Sequence, residues 1–259
     1  MRRTLPLALA LLLGVGACSP AEVVVSIEVE LDNPDGEGTL QRVLSDIEVQ
    51  LLPYDRDAVF DSMSAAFGTP EPEVPTELLA AREEVQAAQA EWNEAERRWS
   101  LIRDTLQALT ATMEQFSRGE AQYVLLFREF QDWDSQLGGV ERQRDIAFAR
   151  FDSLQQATIR SSDEMSIQLD NWADEAFADV GEVFRAKQLA AGLDIAVDTT
   201  DASGIARGNL RVRPGQYWVH ARYEMTYSEL YWNVPVTVER GDPVPVMLSQ
   251  ANADERMIF

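Results

Sequence analysis

The sequence predicts an α+β protein, a discontinuous antiparallel β-sandwich interrupted by a long antiparallel α-helical coiled-coil insertion. Three observations predict it. Apolar and polar residues alternate with period two near both ends of the chain, an apolar repeat of seven residues fills the middle, and a proline-rich segment marks the first change of period.

The N-terminal strands come first. Val23, Val25, Ile27, Val29 and Leu31 fall on one face, with Ser26, Glu28 and Glu30 opposite, the pattern of a half-buried strand. Asn33-Pro34-Asp35-Gly36-Glu37-Gly38 has turn chemistry. Ile47, Val49 and Leu51 alternate again, and Pro53 closes that strand. Residues 54–75 hold a short helix, capped by Asp55 or Asp57, and the linker Thr69-Pro70-Glu71-Pro72-Glu73-Val74-Pro75.

From Thr76 the period changes. Leu78, Val85, Trp92, Trp99, Leu106 and Met113 recur every seven residues, each followed three positions later by Ala81, Ala88, Ala95, Ile102, Leu109 and Phe116. This a/d seam predicts a helix about 60 Å long. Gly119 marks its break. A second seam has Tyr123, Phe130, Leu137 and Phe151 at a, with Leu126, Trp133, Val140, Ala147 and Leu154 at d. Arg144 occupies an a position, Gly138-Gly139 are expected to interrupt the helix, and Ser161-x-x-Glu164 has the form of a capping box for a further helix ending near Gly192. Short connections imply antiparallel packing within the chain, with dimerisation as the alternative use of the seam. The insertion is therefore 76–192.

After Gly192 period two returns. Strands are expected around Leu193–Val197, Ile205–Val212, Tyr217–Tyr223, Trp232–Val238 and Val244–Leu248, with 249–259 as an exposed tail. An isolated pair of strands is marginal in water, so 18–53 and 193–248 are read as one sandwich.

The composition restricts function. The chain of 259 residues carries 22 Lys+Arg against 44 Asp+Glu, a net charge of −22, which repels phosphate backbones and argues against nucleic acid as a partner. It has one Cys and one His, too few for a Cys/His zinc set or an intrachain disulfide. No phosphate loop, nucleophile elbow or metal-binding helix motif occurs, so the reading is non-catalytic, with no cofactor and no metal. Asp32–Gly38 and Asp198–Gly204 are acidic turns; the first lacks the spacing of a calcium loop. His220 is expected on the strand face opposite Tyr217 and Val219, beside Trp218 and Arg222. With Tyr227 and Tyr231, Trp218 and His220 form a candidate aromatic binding patch for glycan or protein; cover by the insertion or the tail is the alternative.

Two resemblances add to this. Met1-Arg2-Arg3, the apolar run Leu5–Leu13, and Val15-Gly16-Ala17 before Cys18 resemble the signal peptide and lipobox of bacterial lipoproteins, with 1–17 as the signal peptide. That resemblance implies cleavage before Cys18, acylation of its thiol and its new amine (with chains such as palmitate), and membrane attachment in the cell envelope. Ser19 resembles an outer-membrane sorting signal, with the body facing the periplasm or the cell surface. Thr200-Asp201-Ala202-Ser203-Gly204-Ile205-Ala206 and Leu210-Arg211-Val212-Arg213-Pro214-Gly215-Gln216-Tyr217 resemble carboxypeptidase regulatory-like domains, which are transthyretin-like (prealbumin-like) β-sandwiches. Ile47-Glu48-Val49-Gln50-Leu51 looks like an early strand of that family. The resemblance implies a binding or scaffold module with a protein partner in the envelope, and a core-anchoring Tyr217. Other readings of the layout are an adaptor-like component of a membrane transport assembly, or a glycan-binding envelope protein.

Overall fold

The computed structural model describes residues 20–33 and 38–259. The 1–17 segment, Cys18 and the middle of the Asn33–Gly38 turn lie outside the described residues. Elements follow in the order β1 (Ala21–Asp32), β2 (Thr39–Val43), β3 (Glu48–Leu52), α1 (Arg56–Phe67), α2 (Thr76–Met113), α3 (Ala121–Ala176), α4 (Val180–Ala191), β4 (Ala196–Thr199), β5 (Ile205–Ala206), β6 (Arg211–Val212), β7 (Gly215–Glu224), β8 (Ser228–Val238), β9 (Val244–Leu248) and β10 (Asp254–Met257). The chain divides into a β body, formed by residues up to Glu71 and by Trp172–Phe259, and a helical unit, Pro72–Asn171.

In the β body, β1 is the hub of one sheet. It pairs antiparallel with β2, β5 and β6 and parallel with β9, with Val23 opposite Val244. The second sheet has the order β10-β8-β7-β3-β4 and is antiparallel throughout. Val23, Val25, Ile27 and Val29 of the first sheet share one core with Val49, Leu51, Tyr217, Val219 and Trp232 of the second. These residues bury because each strand's period of two turns every second side chain inward. The parallel β1–β9 ladder corrects the expectation of a purely antiparallel sandwich. Side-chain alternation marks which face is buried and says nothing about the direction of the neighbouring strand.

Segments far apart in sequence are stapled at Thr200, which is 2% exposed. Its hydroxyl donates to the Leu44 carbonyl at 2.7 Å and accepts the Ile47 N–H at 2.9 Å. Its own N–H donates to the Ile47 carbonyl, and its carbonyl accepts from Asp46, which stands at φ +60°. Asp201 Oδ1 accepts the N–H groups of Ser203 and Ile205, a side-chain turn that leads into Gly204. Gly204 stands at φ +71°, and a Cβ there would lie 2.9 Å from Val43 Cβ. Gly215 opens β7. Its need is space, since a Cβ would meet Leu193 Cδ1 at 2.7 Å. The Tyr217 side chain is fully buried, and its hydroxyl donates to the Arg213 carbonyl at 3.0 Å.

The tail is not an exposed extension. After a single 3-10 turn at Gln250–Asn252, β10 extends the second sheet by pairing with β8. The Trp232 indole N–H, inside the core, donates to the Ser249 carbonyl at 2.9 Å and fixes the start of this tail.

In the helical unit, Leu78, Val85, Ala88, Ile102, Leu106, Leu109 and Met113 of α2 are buried along the seam. Val140, Ala147, Phe151 and Met165 of α3 are buried as well. Trp92 stacks on Phe151 at 5.5 Å, Ile102 and Leu106 cluster with Val140, and Glu91 pairs with Arg150 at 2.6 Å. Partner numbers fall as α2 rises, so the two helices are antiparallel and the seam is satisfied within the chain. Arg144 fits its a position by laying its guanidinium 4.3 Å over the Trp99 ring, with Glu96 nearby. Neither Gly138-Gly139 nor Ser161-x-x-Glu164 interrupts α3, which is continuous. Two glycines cost about 2 kcal/mol in a helix, which the flanking seam residues Leu137 and Val140 outweigh by burial. Ser161 and Glu164 are exposed within α3, at a groove shared with Leu78 and Ala81 of α2.

The stretch read as the end of the insertion belongs in part to the β body. α4, closed by Gly192 at φ +63°, packs with α1 around Leu52, Tyr54, Val59, Met63, Val183 and Phe184. The Trp172 indole N–H donates to the Thr69 carbonyl at 3.0 Å, so the chain leaves and re-enters the body at neighbouring points.

Candidate functional site

The candidate residues lie on the outer face of the second sheet. Tyr217, Val219 and Ala221 point to the core, which turns Trp218, His220 and Arg222 outward. The β7–β8 register sets His220 opposite Asn233 and Arg222 opposite Tyr231. Trp218, His220 and Tyr231 therefore share a face, the condition on which the candidate patch rested. Tyr227 does not join them. It sits in the hairpin turn closed by the Met225 N–H to Ser228 carbonyl bond of 2.8 Å.

α1 lies over this face. Asp55 caps it, accepting the Asp57 and Ala58 N–H groups at 3.0 and 3.3 Å. Asp57, in the first turn, points at the sheet and accepts the Tyr231 hydroxyl at 2.8 Å. The Asn233 amide donates to Asp55 and to Asp57, each at 2.8 Å. Arg256 of β10 places its guanidinium 3.5 Å from the Tyr231 ring centroid and reaches Asp57 as well. Tyr231 is left 4% exposed and His220 6%. Of the two alternatives, an open aromatic patch or a covered one, the structure has the covered one at His220 and Tyr231, because helix and tail lie over both rings. Trp218 remains half-buried.

The electrostatics follow from this cover. Burial lowers the His220 pKa, opposed in part by its bond to the Trp232 carbonyl at 3.0 Å. A carbonyl only accepts, so Nδ1 carries the proton of a neutral ring. Burial first, then the bond to Asp57, push the Tyr231 phenol well above its ordinary value, and it stays a donor. Arg222 holds the buried Glu229 through Nε at 2.8 Å. His220 thus bonds a backbone carbonyl and not a nucleophile; Asp55, Asp57 and Glu229 each face a donor or an opposite charge, and Arg56 lies over the Phe60 and Phe184 rings. Chemically the arrangement is a polar seam that fastens α1 to the sheet.

The other candidates take structural roles. Asp198 accepts from the backbone and side chain of Asn209, and Asp201 forms its own turn. Among the described residues no group of three His, Cys, Asp or Glu is arranged to hold a metal, and no helix is long and apolar enough to cross a membrane. A groove of about 460 Å³ in the helical unit has Leu78, Ala81, Leu154 and Met165 in its wall, with Glu77 and Glu164 beside them. Sequence reasoning missed the roles of Asn233 and Arg256. Asp55 and Asp57 stood out as a pair, but nothing local showed that their partners lie 174 and 178 positions away.

Compared with known proteins, the chain matches no family model, no curated protein and no solved structure.

Proposed function

We propose that the protein is a non-catalytic lipoprotein of a bacterial cell envelope, attached by acyl chains on Cys18, whose prealbumin-like β body and helical arm bind or scaffold a protein partner. The observation that carries the reading is the lipobox-like Val15-Gly16-Ala17-Cys18, whose cysteine stands three residues before β1. The acidic, apolar-seamed arm adds side surface suited to a basic or cation-bridged partner. The structural roles of His220, Tyr231, Asp198 and Asp201 support a contact function over a catalytic one. Several acyl chains, at about 0.8 kcal/mol per buried CH₂, hold a protein on a membrane durably.

The test is fractionation. Cys18→Ser is expected to move the protein from the membrane fraction to the soluble fraction; an unchanged distribution ends the lipoprotein reading. Crosslinking in cells from exposed positions of α2 and α3 identifies the partner.

A further inference from the structure

The lipid reading has a geometric consequence in the β body. β1 begins at Ala21, whose side chain is 4% exposed and which pairs with Val212. Only Ser19 and Pro20 separate Ala21 from Cys18. Three Cα–Cα steps of 3.8 Å allow a reach of at most about 11 Å, and Pro20 removes one backbone freedom from it. Many fewer residues are available than a flexible tether needs to let a body swing free.

The elements at this end of the body are fixed by the ladders. Val212 faces Ala21, so the 213–214 turn lies beside the start of β1. Val238 pairs with Gly215 and Val244 with Val23, so the 239–243 turn lies there too. The Arg213 guanidinium reaches the Gly192 carbonyl at 2.6 Å and Asp194 at 3.2 Å, which brings the 192–194 segment to the same end. Arg211, Arg213 and Arg240 stand against Glu22, Asp194, Glu239 and Asp242, close to balance in a chain of net charge −22. An anionic headgroup layer meets little net charge here.

We propose that this end of the β body, made of the start of β1, the 213–214 and 239–243 turns and the 192–194 segment, is seated directly on the phospholipid headgroups. The surface rests on the Cys18 attachment and falls with it. The opposite end, the 225–228 hairpin turn, then stands off the bilayer by about 30 Å, the length of the ten-residue β7.

Acylation consumes the thiol of Cys18, the chain's one cysteine, so an introduced cysteine is the single labelling site. Asp242→Cys and Thr226→Cys, both at exposed positions, are made in the full acylated chain, labelled with a fluorophore and reconstituted in phosphatidylglycerol/phosphatidylethanolamine vesicles carrying a headgroup quencher. The 242 label is expected to be strongly quenched and the 226 label to be nearly unaffected. Inserting twenty Gly/Ser residues between Pro20 and Ala21 should relieve quenching at 242. Equal quenching at both positions, stronger quenching at 226, or no effect of the insertion overturns the proposal. Flotation of the same vesicles separates the two failures. Protein that floats but shows the wrong quenching refutes this surface alone, whereas protein that does not float refutes the attachment and the surface together.

Discussion

The two units of the molecule reach order by opposite routes. The β body closes over contacts between distant segments: Thr200 bonds Leu44 across 156 positions, and β3 pairs with β4 and β7. Its core side chains are sealed, with Trp232, Tyr217 and Ile27 at 0% exposure. The helical unit is a zipper in which each turn of α2 meets one turn of α3, and even its central Trp92 and Trp99 stay half-buried. Long-range ladders concentrate cooperativity in a few side chains, whereas a two-helix seam spreads it along a line, seals positions such as Ala88 and Ile102 and leaves others partly wet.

Substitutions can break or sharpen this contrast. The largest effect is expected from Trp232→Ala, which empties a sealed site and frees the Ser249 carbonyl, at about 3–5 kcal/mol. Ile102→Ala, at an equally buried seam position, should cost about 2–3 kcal/mol because an open pair of helices relaxes around the gap. Denaturant unfolding followed by circular dichroism compares the two, and equal losses would erase the distinction. Thr200→Val should cost about 2 kcal/mol by leaving the Ile47 N–H and Leu44 carbonyl unpaired, with Thr200→Ser recovering most of it.

A smaller effect depends on pH. His220 has a folded pKa below the ordinary 6.5, so above that value the ring is neutral in both states and the full stability is present. As pH falls from 6.5 through the depressed folded value, only the unfolded chain takes up the proton, and stability drops. A His220→Gln variant should lose this component of the profile, read from unfolding midpoints between about pH 7 and pH 5. The smallest effect on the β body is expected from the largest cut. Thr69 and Trp172 are hydrogen-bonded, so replacing 72–171 with a few Gly/Ser residues should leave a body that unfolds cooperatively with its near-ultraviolet signal intact. A molten product would show that the zipper holds the body together.

How much was legible in the sequence follows the same division. The a/d seam is local information, and nearly every position read into it is buried or half-buried. Gly138-Gly139 misled because propensity was weighed without the burial on either side of it. The strands of the body were legible as alternation, but their neighbours were not. The parallel β1–β9 ladder and the recruitment of 254–257 as an edge strand depend on partners far along the chain. Outward placement of Trp218, His220 and Tyr231 was readable from period two. Their cover was not, because Asp57, Asn233 and Arg256 meet only in three dimensions.

The parallel ladder also sets an order of events. β9, the parallel neighbour of β1 from Val23 to Ile27, is made only after α1, α2, α3 and α4. Until β9 emerges, during translation or passage across a membrane, Val23, Val25 and Ile27 have no complete set of partners, and an unpaired apolar strand invites association with other chains. Closure of this sheet therefore waits for β9, and Glu22, Glu28 and Glu30 of β1 keep its waiting edge in solution until then.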